Sequence, residues 1–186
     1  MKQPIPYVPG YHLQPKRELH APSAWKGIPN ILPCLFHDFQ VGTKLCVEFG
    51  VEHGYSTVAF SEHFHTVIGV DTFLGLGHND HFFDLVKGNL KPYDNIELMA
   101  VRWQDFITFC DMQIDLIHVD IDHNYEDTHT AAAWAVLHAP VVVLHDTLSY
   151  PDVMRACSDI AESTGIRFYN FEESHGLGIL SRMDKR

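Results

Sequence analysis

The sequence lacks three features that would place the protein in other classes. It has no cluster of lysine and arginine, and its net charge is −11, whereas phosphate binding by a nucleic-acid surface needs a basic patch. It has no run of about 18 apolar residues, the length that a membrane-spanning helix requires. Its four cysteines form no CxxC pair, which suits a reducing compartment. We therefore predict a cytoplasmic protein that binds neither nucleic acid nor a membrane.

The composition is that of one globular domain preceded by an arm. The 186 residues are 46% hydrophobic and 20% charged, which is ordinary for a folded protein. Residues 1–23 are rich in proline, with Pro4, Pro6, Pro9 and Pro15 among them, and are predicted to be an extended arm. The arm either wraps its own domain, residues 24–186, or reaches a partner subunit and supports a homo-oligomer.

Short apolar runs alternate with helix-like stretches along that domain. Strands are predicted at 44–49, 66–71, 96–101, 114–120, 140–144, 166–171 and 178–180. Helices are predicted at 29–39, 57–64, 78–90, 105–110, 125–137 and 152–162. This alternation predicts an α/β fold with a Rossmann-like, doubly wound and mostly parallel seven-stranded sheet, with helices on both faces. Because no helix separates the last two strands, they should form a C-terminal antiparallel hairpin.

The chain is organised around a glycine loop that follows the first strand of this domain. Glu48 ends an apolar run, Gly50 and Gly54 bracket a turn, and Ser56 opens a helix. Such a turn brings backbone N–H groups close to a ligand. There is no third glycine in the dinucleotide register, so the NAD fingerprint is not met and a nicotinamide enzyme is disfavoured. A turn needed only for strand-to-helix packing is the alternative.

Acidic residues stand at the ends of four predicted strands. They are Glu48, Asp71, Asp120 with Asp122, and Asp146, which follows His145. In an open α/β sheet, ligands bind outside the carboxyl ends of the strands, so this regularity predicts a ligand site there. Asp71 could accept both ribose hydroxyls of an adenosine or cap the turn beside Thr72. Trp103 could lie against an adenine ring or belong to the core.

These motifs resemble those of a known enzyme family. Residues 48–56 read Glu-x-Gly-x-x-x-Gly-x-Ser, as in class I S-adenosylmethionine-dependent methyltransferases. Residues 119–126 resemble the family pattern Ile-Asp-Gly-Asp-His-Ser-Tyr-Glu, and His145-Asp146 matches a later His-Asp pair. Over residues 44–180 the chain resembles the O-methyltransferase-like branch called methyltransferase family 24. That branch is related to metal-dependent catechol and caffeoyl-CoA enzymes and to macrocin-type sugar O-methyltransferases.

The resemblance implies S-adenosylmethionine as cofactor and a set of residues that bind it. That set is Glu48, Phe49, Gly50, Gly54, Tyr55, Ser56, Asp71, Thr72, Trp103 and Asp120. It also implies a divalent metal, Mg²⁺ or Mn²⁺, on Asp120, His145 and Asp146. His145 replaces an acid of the catechol-type enzymes, which shifts the preference from Mg²⁺ toward Mn²⁺, Fe²⁺ or Zn²⁺. The alternative is that His145 and Asp146 bond to each other and to the backbone.

Ile121 is a second departure, because the family usually has glycine between the two acids. A β-branched residue disfavours positive φ, so the loop should be extended here, with Asp120 and Asp122 on one side.

The expected reaction is methyl transfer to a hydroxyl of a small molecule, such as a sugar, a polyketide-like compound or a catechol. The acceptor hydroxyl loses its proton to a base or with the help of a metal. The predicted catalytic residues are His123, the candidate base, with Asp120 and His145. His123 could instead be a helix-start residue bonded to Asp122 or Glu126.

Two other functions fit the same residues. The first is a catalytically silent module that binds S-adenosylmethionine. The second, less favoured, is a metal-dependent hydrolase that uses the cluster of Asp120, Asp122, His123, His145 and Asp146. In a hydrolase of this kind the glycine loop would have no role in binding.

Overall fold

The computed structural model describes residues 3–21, 23–74 and 81–186. Its strands are β1 (Ile5–Pro6), β2 (Leu45–Phe49), β3 (Thr66–Asp71), β4 (Ile96–Ala100), β5 (Leu116–Val119), β6 (Val141–His145), β7 (Arg167–Phe171) and β8 (Leu177–Ser181). Its helices are a 3₁₀ turn (Ile28–Asn30), α1 (Leu32–Asp38), α2 (Tyr55–Ser61), α3 (Phe82–Leu90), α4 (Trp103–Phe109), α5 (Tyr125–His138) and α6 (Pro151–Thr164). Residues 78–80, predicted to begin a helix, lie outside the described residues.

The described strands form one sheet in the order β1-β7-β8-β6-β5-β2-β3-β4. Strands β2 to β6 pair in parallel, and β8 runs antiparallel to both β6 and β7. This confirms the mostly parallel α/β fold with its C-terminal hairpin. The sheet has one strand more than predicted, because Ile5 and Pro6 of the arm pair in parallel with β7. Proline is tolerated there since β1 is an edge strand.

Apolar layers cover both faces of the sheet. All five residues of β6 are buried, as expected for a strand with helices on both sides. Successive residues of β2 point to opposite faces, so that Val47 and Phe49 join one apolar layer and Cys46 joins the other. The sheet therefore packs between two apolar layers, and the carboxyl ends of its parallel strands β2 to β6 lie along one edge.

The arm lies on the domain of its own chain. Tyr7 is buried, and its hydroxyl donates to Asp38 Oδ2 over 3.2 Å. Arg17 Nη1 donates to the Ser61 carbonyl over 2.9 Å and to Asn95 Oδ1 over 2.7 Å. The wrapping alternative thus describes the arm in this structure, whereas assembly through the arm stays a prediction.

No helix within the described ranges combines the length and the apolar character needed to cross a membrane.

The glycine loop between β2 and α2 is fixed by backbone contacts to the two neighbouring strands. Gly50 N donates to the Val70 carbonyl over 2.9 Å, and Asp120 N donates to the Phe49 carbonyl over 2.8 Å. Gly50 has φ +88°, and a Cβ atom there would overlap the carbonyl oxygen of Asp120. Glycine is therefore required at this position both for its backbone conformation and for the close approach.

Replacing Gly50 with alanine should destabilise the fold by more than about 1 kcal/mol, because the new Cβ meets backbone that cannot swing away. Chemical denaturation monitored by circular dichroism measures this change. Gly88→Ala is the matched control, since Gly88 lies in α3 and has nothing within 4 Å of a Cβ position. Alanine there should stabilise the protein by about 0.5 to 1 kcal/mol. Equal stability of the Gly50 variant and the unmodified protein would contradict the role given to this glycine.

Candidate functional site

A cavity of about 620 Å³ lies at the carboxyl ends of β2, β3, β5 and β6. Its walls come from the glycine loop, these strand ends, the start of α4 and the end of the arm. The lining residues are Ser23, Ala24, Trp25, Gly50, Val51, Glu52, His53, Tyr55, Ser56, Val70, Asp71, Thr72, Phe73, Phe82, Arg102, Trp103, Gln104, Asp120, Ile121, Asp122, His123, His145, Asp146 and Tyr150. The cavity is at the edge where open α/β sheets bind their ligands.

Most of the residues predicted to bind a cofactor line this cavity. They are Gly50, Tyr55, Ser56, Asp71, Thr72, Trp103 and Asp120. Glu48, Phe49 and Gly54 do not line it, and the geometry of the strand and of the loop gives the reason for each.

The Glu48 side chain points into the protein rather than into the cavity. It is fully buried, and its carboxylate accepts hydrogen bonds from Ser56 Oγ and Thr57 Oγ1. His118 is directly opposite it on β5, with Nδ1 2.9 Å from Glu48 Oε1. A buried carboxylate needs such partners to offset its desolvation. In this structure Glu48 thus ties the start of α2 to the sheet beneath the glycine loop.

Phe49 and Gly54 also have packing roles in this structure. Phe49 is fully buried among aromatic rings, with its ring centroid 5.7 Å from that of Phe106 and 5.8 Å from that of Trp134. Gly54 is the residue before α2 and has φ +87°, with Leu90 Cδ1 2.8 Å from the position of a Cβ. Both residues support the glycine loop by packing on the side away from the cavity.

Asp71 lines the cavity and also holds the glycine loop. Its Oδ2 accepts hydrogen bonds from the backbone N–H groups of Val51 and Glu52, at 2.8 and 3.0 Å. Its Oδ1 accepts from Phe73 N at 2.7 Å. The turn-capping alternative therefore describes the contacts of Asp71, and the ribose role stays a prediction.

The ends of β5 and β6 bring together the residues predicted to carry chemistry. His123 Nε2 lies 2.9 Å from Asp146 Oδ2 and 3.5 Å from Asp120 Oδ1. Ligand atoms of Asp120, His123 and Asp146 all lie within 4.8 Å of one another, the spacing of a metal-binding group. The sequence predicts a metal site on Asp120, His145 and Asp146. In the structure, His123 rather than His145 completes the group with the two carboxylates.

His145 lies beside this group and faces it with one nitrogen. Its Nδ1 is 3.5 Å from Asp120 Oδ2 and 3.3 Å from Asp146 Oδ2. Its Nε2 is 3.1 Å from the carbonyl oxygen of Ser174. A carbonyl can only accept, so Nε2 carries a proton and donates it. The predicted pairing of His145 with Asp146 and with the backbone is present, and it leaves Nδ1 directed toward both carboxylates.

Ile121 is not among the residues with positive φ. Asp120 and Asp122 both line the cavity, and Ile121 also packs against the core layer. The extended path predicted for this loop is confirmed.

The paired carboxylates perturb the imidazole that lies between them. The neighbouring carboxylates of Asp120 and Asp146 raise the pKa of His123 to about 9. Burial opposes ionisation of Asp146, but the neighbouring imidazoles of His123 and His145 outweigh it and hold the pKa of Asp146 well below its usual range. Burial also opposes protonation of His145, yet the two carboxylates raise its pKa. In the absence of another cation, His123 is therefore charged at neutral pH.

Among the lining residues that were not predicted, two contact the predicted histidines. The ring of Tyr150 stacks on that of His123, with centroids 4.0 Å apart and planes 7° from parallel. Tyr150 follows Asp146 by four residues, so its place just after β6 could have indicated it. Trp25 reaches the cavity from the segment directly after the arm and lies against His145, and no local pattern in the sequence links it to these strand ends.

The cavity is acidic. Among its described lining residues, Arg102 is the one lysine or arginine, and it binds Asp105 with two hydrogen bonds of 2.8 Å. The carboxylates of Glu52, Asp71, Asp120, Asp122 and Asp146 face the same space. Such a lining favours a ligand with positive charge.

The fold and the cavity together define a class of protein. A parallel sheet closed by an antiparallel hairpin, with a glycine loop after its first central strand, is the Rossmann-like architecture of class I methyltransferases. Residues 47–147, more than half of the chain, match the family model for the methyltransferase domain of the methyltransferase 24 family. The protein belongs to this methyltransferase family. Among curated proteins no match was found.

Solved structures with the same fold include methyltransferases of several organisms. The O-methyltransferase TomG of Streptomyces achromogenes, involved in tomaymycin synthesis and solved with S-adenosylmethionine, aligns at a TM-score of 0.64 and 15% identity over 89% of this chain and 82% of TomG. The Bacillus cereus O-methyltransferase, solved with S-adenosylhomocysteine, aligns at 0.62 and 13% over 88% and 83%. Podospora anserina PaMTH1, also solved with S-adenosylhomocysteine, aligns at 0.61 and 13% over 76% and 72%.

In metal-stripped protein, the imidazole of His123 should titrate near pH 9, because two carboxylates stabilise its cation. This pKa lies above the value of about 6.5 for an unfolded histidine. The pairing therefore contributes stability that is fully present below pH ~6.5 and lost as pH rises toward ~9. An NMR titration of the imidazole protons measures the pKa directly.

Asp146→Asn should lower the pKa of His123 toward the ordinary value, whereas Asp111→Asn, at an exposed position, should leave it unchanged. His63, whose pKa burial lowers, provides an internal reference in the same spectra. A His123 that titrates at an ordinary pH in the unmodified protein would contradict this electrostatic picture.

Proposed function

We propose that the protein is an S-adenosylmethionine-dependent methyltransferase that acts on a hydroxyl group of a small molecule. The observation that carries this proposal is that one cavity holds both the glycine loop and the group formed by Asp120, His123 and Asp146. The first could hold a nucleoside cofactor, and the second could activate a hydroxyl. Membership in a methyltransferase family and the likeness to enzymes solved with this cofactor support the assignment.

The cofactor end of the cavity has the polar and aromatic groups that an adenosine needs. Asp71 is at the end of β3, where a carboxylate can accept from ribose hydroxyls, and Trp103 offers an aromatic surface at the start of α4. S-adenosylmethionine supplies a methyl group on a positively charged sulfur. An acidic lining stabilises that charge, and Arg102 is already paired with Asp105.

The acceptor end of the cavity has one candidate base. His123 lines the cavity, and its stacking on Tyr150 fixes its ring plane. A neutral His123 can take the proton that a hydroxyl loses as its oxygen bonds to the methyl carbon. Because the carboxylates of Asp120 and Asp146 keep His123 protonated at neutral pH, it becomes a base only when their charge is compensated.

The donor set fits a divalent cation. Two carboxylates and an imidazole have ligand atoms within 4.8 Å of one another, and His145 directs Nδ1 at the same carboxylates. Carboxylate oxygens suit Mg²⁺, whereas imidazole nitrogens favour Mn²⁺ or a similar transition ion. Bound there, the cation would lower the pKa of a coordinated acceptor hydroxyl. A His123 nitrogen that coordinates the cation cannot also accept a proton, so activation by the metal and by His123 as base are alternative routes.

Asp146→Asn should lower metal-stimulated methyl transfer by on the order of 10² in kcat, a typical contribution of assisted proton transfer, because it removes a charged ligand of the cation that would activate the acceptor hydroxyl. Asparagine removes the charge but tolerates the left-handed backbone of Asp146, whose φ is +65°. Affinity for S-adenosylhomocysteine should change little, because the glycine loop is not altered. Transfer is measured with labelled cofactor and a panel of sugars, catechols and polyketide-like alcohols.

Asp111→Asn is the control for loss of an aspartate far from the cavity. Unchanged activity of the Asp146 variant would contradict the proposal that Asp146 takes part in activating the acceptor hydroxyl. Cofactor binding by the unmodified protein without transfer to any acceptor would favour the silent binding module instead.

A further inference from the structure

We propose that the segment directly after the arm, residues 25–27, and the β7–β8 turn, residues 174–176, form a latch that holds the ring of His145 in one orientation. Both parts of the latch lie outside residues 47–147, which match the methyltransferase family. The value of the latch for catalysis rests on the proposed function, since His145 lies beside the proposed activation site. The latch residues act through His145 and are positioning residues.

Hydrogen bonds connect the two parts of the latch to His145. Ser174 Oγ donates to the Lys26 carbonyl over 2.6 Å, across 148 residues of sequence. The Ser174 carbonyl in turn accepts from His145 Nε2 over 3.1 Å. Ser174 therefore binds residues 25–27 with its side chain and the histidine with its backbone.

The backbone of the turn shows that it is held in place. Ser174, His175 and Gly176 have φ values of +51°, +68° and +90°. Non-glycine residues adopt this region at a cost and only where their surroundings enforce it. Here Leu148 N donates to the His175 carbonyl over 2.9 Å. The Ser174 carbonyl is thereby fixed relative to the segment that follows β6.

Close packing enforces the same arrangement. A Cβ on Gly176 would come 2.7 Å from the backbone nitrogen of Leu148. Asp146, two residues before Leu148, also has a left-handed backbone, with φ +65°. The turn and the Asp146 segment therefore constrain each other.

Trp25, two residues after the arm, covers the ring of His145. Trp25 is 98% buried, and its ring centroid lies 5.9 Å from that of His145 and 4.7 Å from that of His118. The side chain of His145 is only 1% exposed. Gly27 has φ +96°, and its Cβ position would be 3.1 Å from Ser174 Oγ. Residues 25–27 thus pass directly against the turn.

This arrangement determines which nitrogen of His145 faces the chemistry. Donation from Nε2 to a backbone carbonyl places a proton on that nitrogen, and the ring then directs Nδ1 at Asp120 and Asp146. Outer contacts of this kind fix the orientation of a functional imidazole. Without the link from Ser174 to Lys26, the carbonyl that receives Nε2–H loses one of its constraints.

NMR of the imidazole of His145 tests the latch in the free protein. In the unmodified protein, long-range ¹H–¹⁵N correlations should show a proton on Nε2 that exchanges slowly with water. Ser174→Ala and Ser174→Gly both remove the hydroxyl, and each should speed this exchange by about tenfold, the equivalent of one hydrogen bond. Ser163→Ala is the matched control. Ser163 Oγ also donates to a backbone carbonyl, that of Asp159 over 2.8 Å, but on α6.

Each outcome of this experiment decides the proposal. A proton on Nδ1 and none on Nε2 in the unmodified protein would overturn it, as would unchanged exchange in both Ser174 variants. Faster exchange in Ser174→Ala but not in Ser174→Gly would also overturn it. Glycine tolerates the left-handed backbone at this position, so such a difference would come from backbone strain and not from the lost hydroxyl.

In enzyme assays, the two Ser174 variants should lower kcat while affinity for S-adenosylhomocysteine stays constant. If the NMR result is as expected and no methyl transfer occurs in the unmodified protein, the latch stands and the proposed function fails.

Discussion

The cleft depends on one close approach of two backbones, that of Gly50 after β2 and that of Asp120 after β5. The missing side chain of Gly50 leaves room for the carbonyl oxygen of Asp120. The hydrogen bond from Asp120 N to the Phe49 carbonyl joins the two strand ends at the same level. This contact sets the distance between the loop that could hold a cofactor and the carboxylate that begins the activation site.

Buried polar contacts beneath and beside the cleft keep that geometry rigid. Below the loop, Glu48 binds the start of α2 and faces His118. Beside it, Asp71 accepts from the N–H groups of Val51 and Glu52. The buried Glu48 and the half-buried Asp71 are each satisfied by several donors, which holds both carboxylates in place. The acids after β5 and β6 also line the cavity, and there a cation can meet them.

Much of the fold follows from local pattern, and part of the site does too. The apolar runs, the glycines and the acids at strand ends predict the parallel sheet and the edge where the cleft lies, because parallel strands end together. The direction of an individual side chain is harder to predict. Glu48 reads as a strand-end acid, yet the alternation of β2 turns it toward His118 and away from the cavity.

Contacts between distant segments could not be predicted from the sequence. Trp25 lies directly after the arm, far from β6 in sequence, and reaches His145 only because this N-terminal segment folds over the end of the sheet. The pairing of His123 with Asp146 depends on how two loops meet, and no spacing encodes it. The strand that the arm adds to the sheet is two residues long, and two residues are too few for a periodic pattern.

Calorimetric titration with S-adenosylmethionine, once with EDTA and once with Mn²⁺, tests the central claim most directly. We expect micromolar binding in both titrations and a different heat when the metal is present, because the glycine loop and the carboxylates of Asp120 and Asp146 share one cavity. No heat of binding in either titration would contradict the claim that this cleft holds the cofactor. A metal-ion hydrolase built on the same cluster would then explain the acids better.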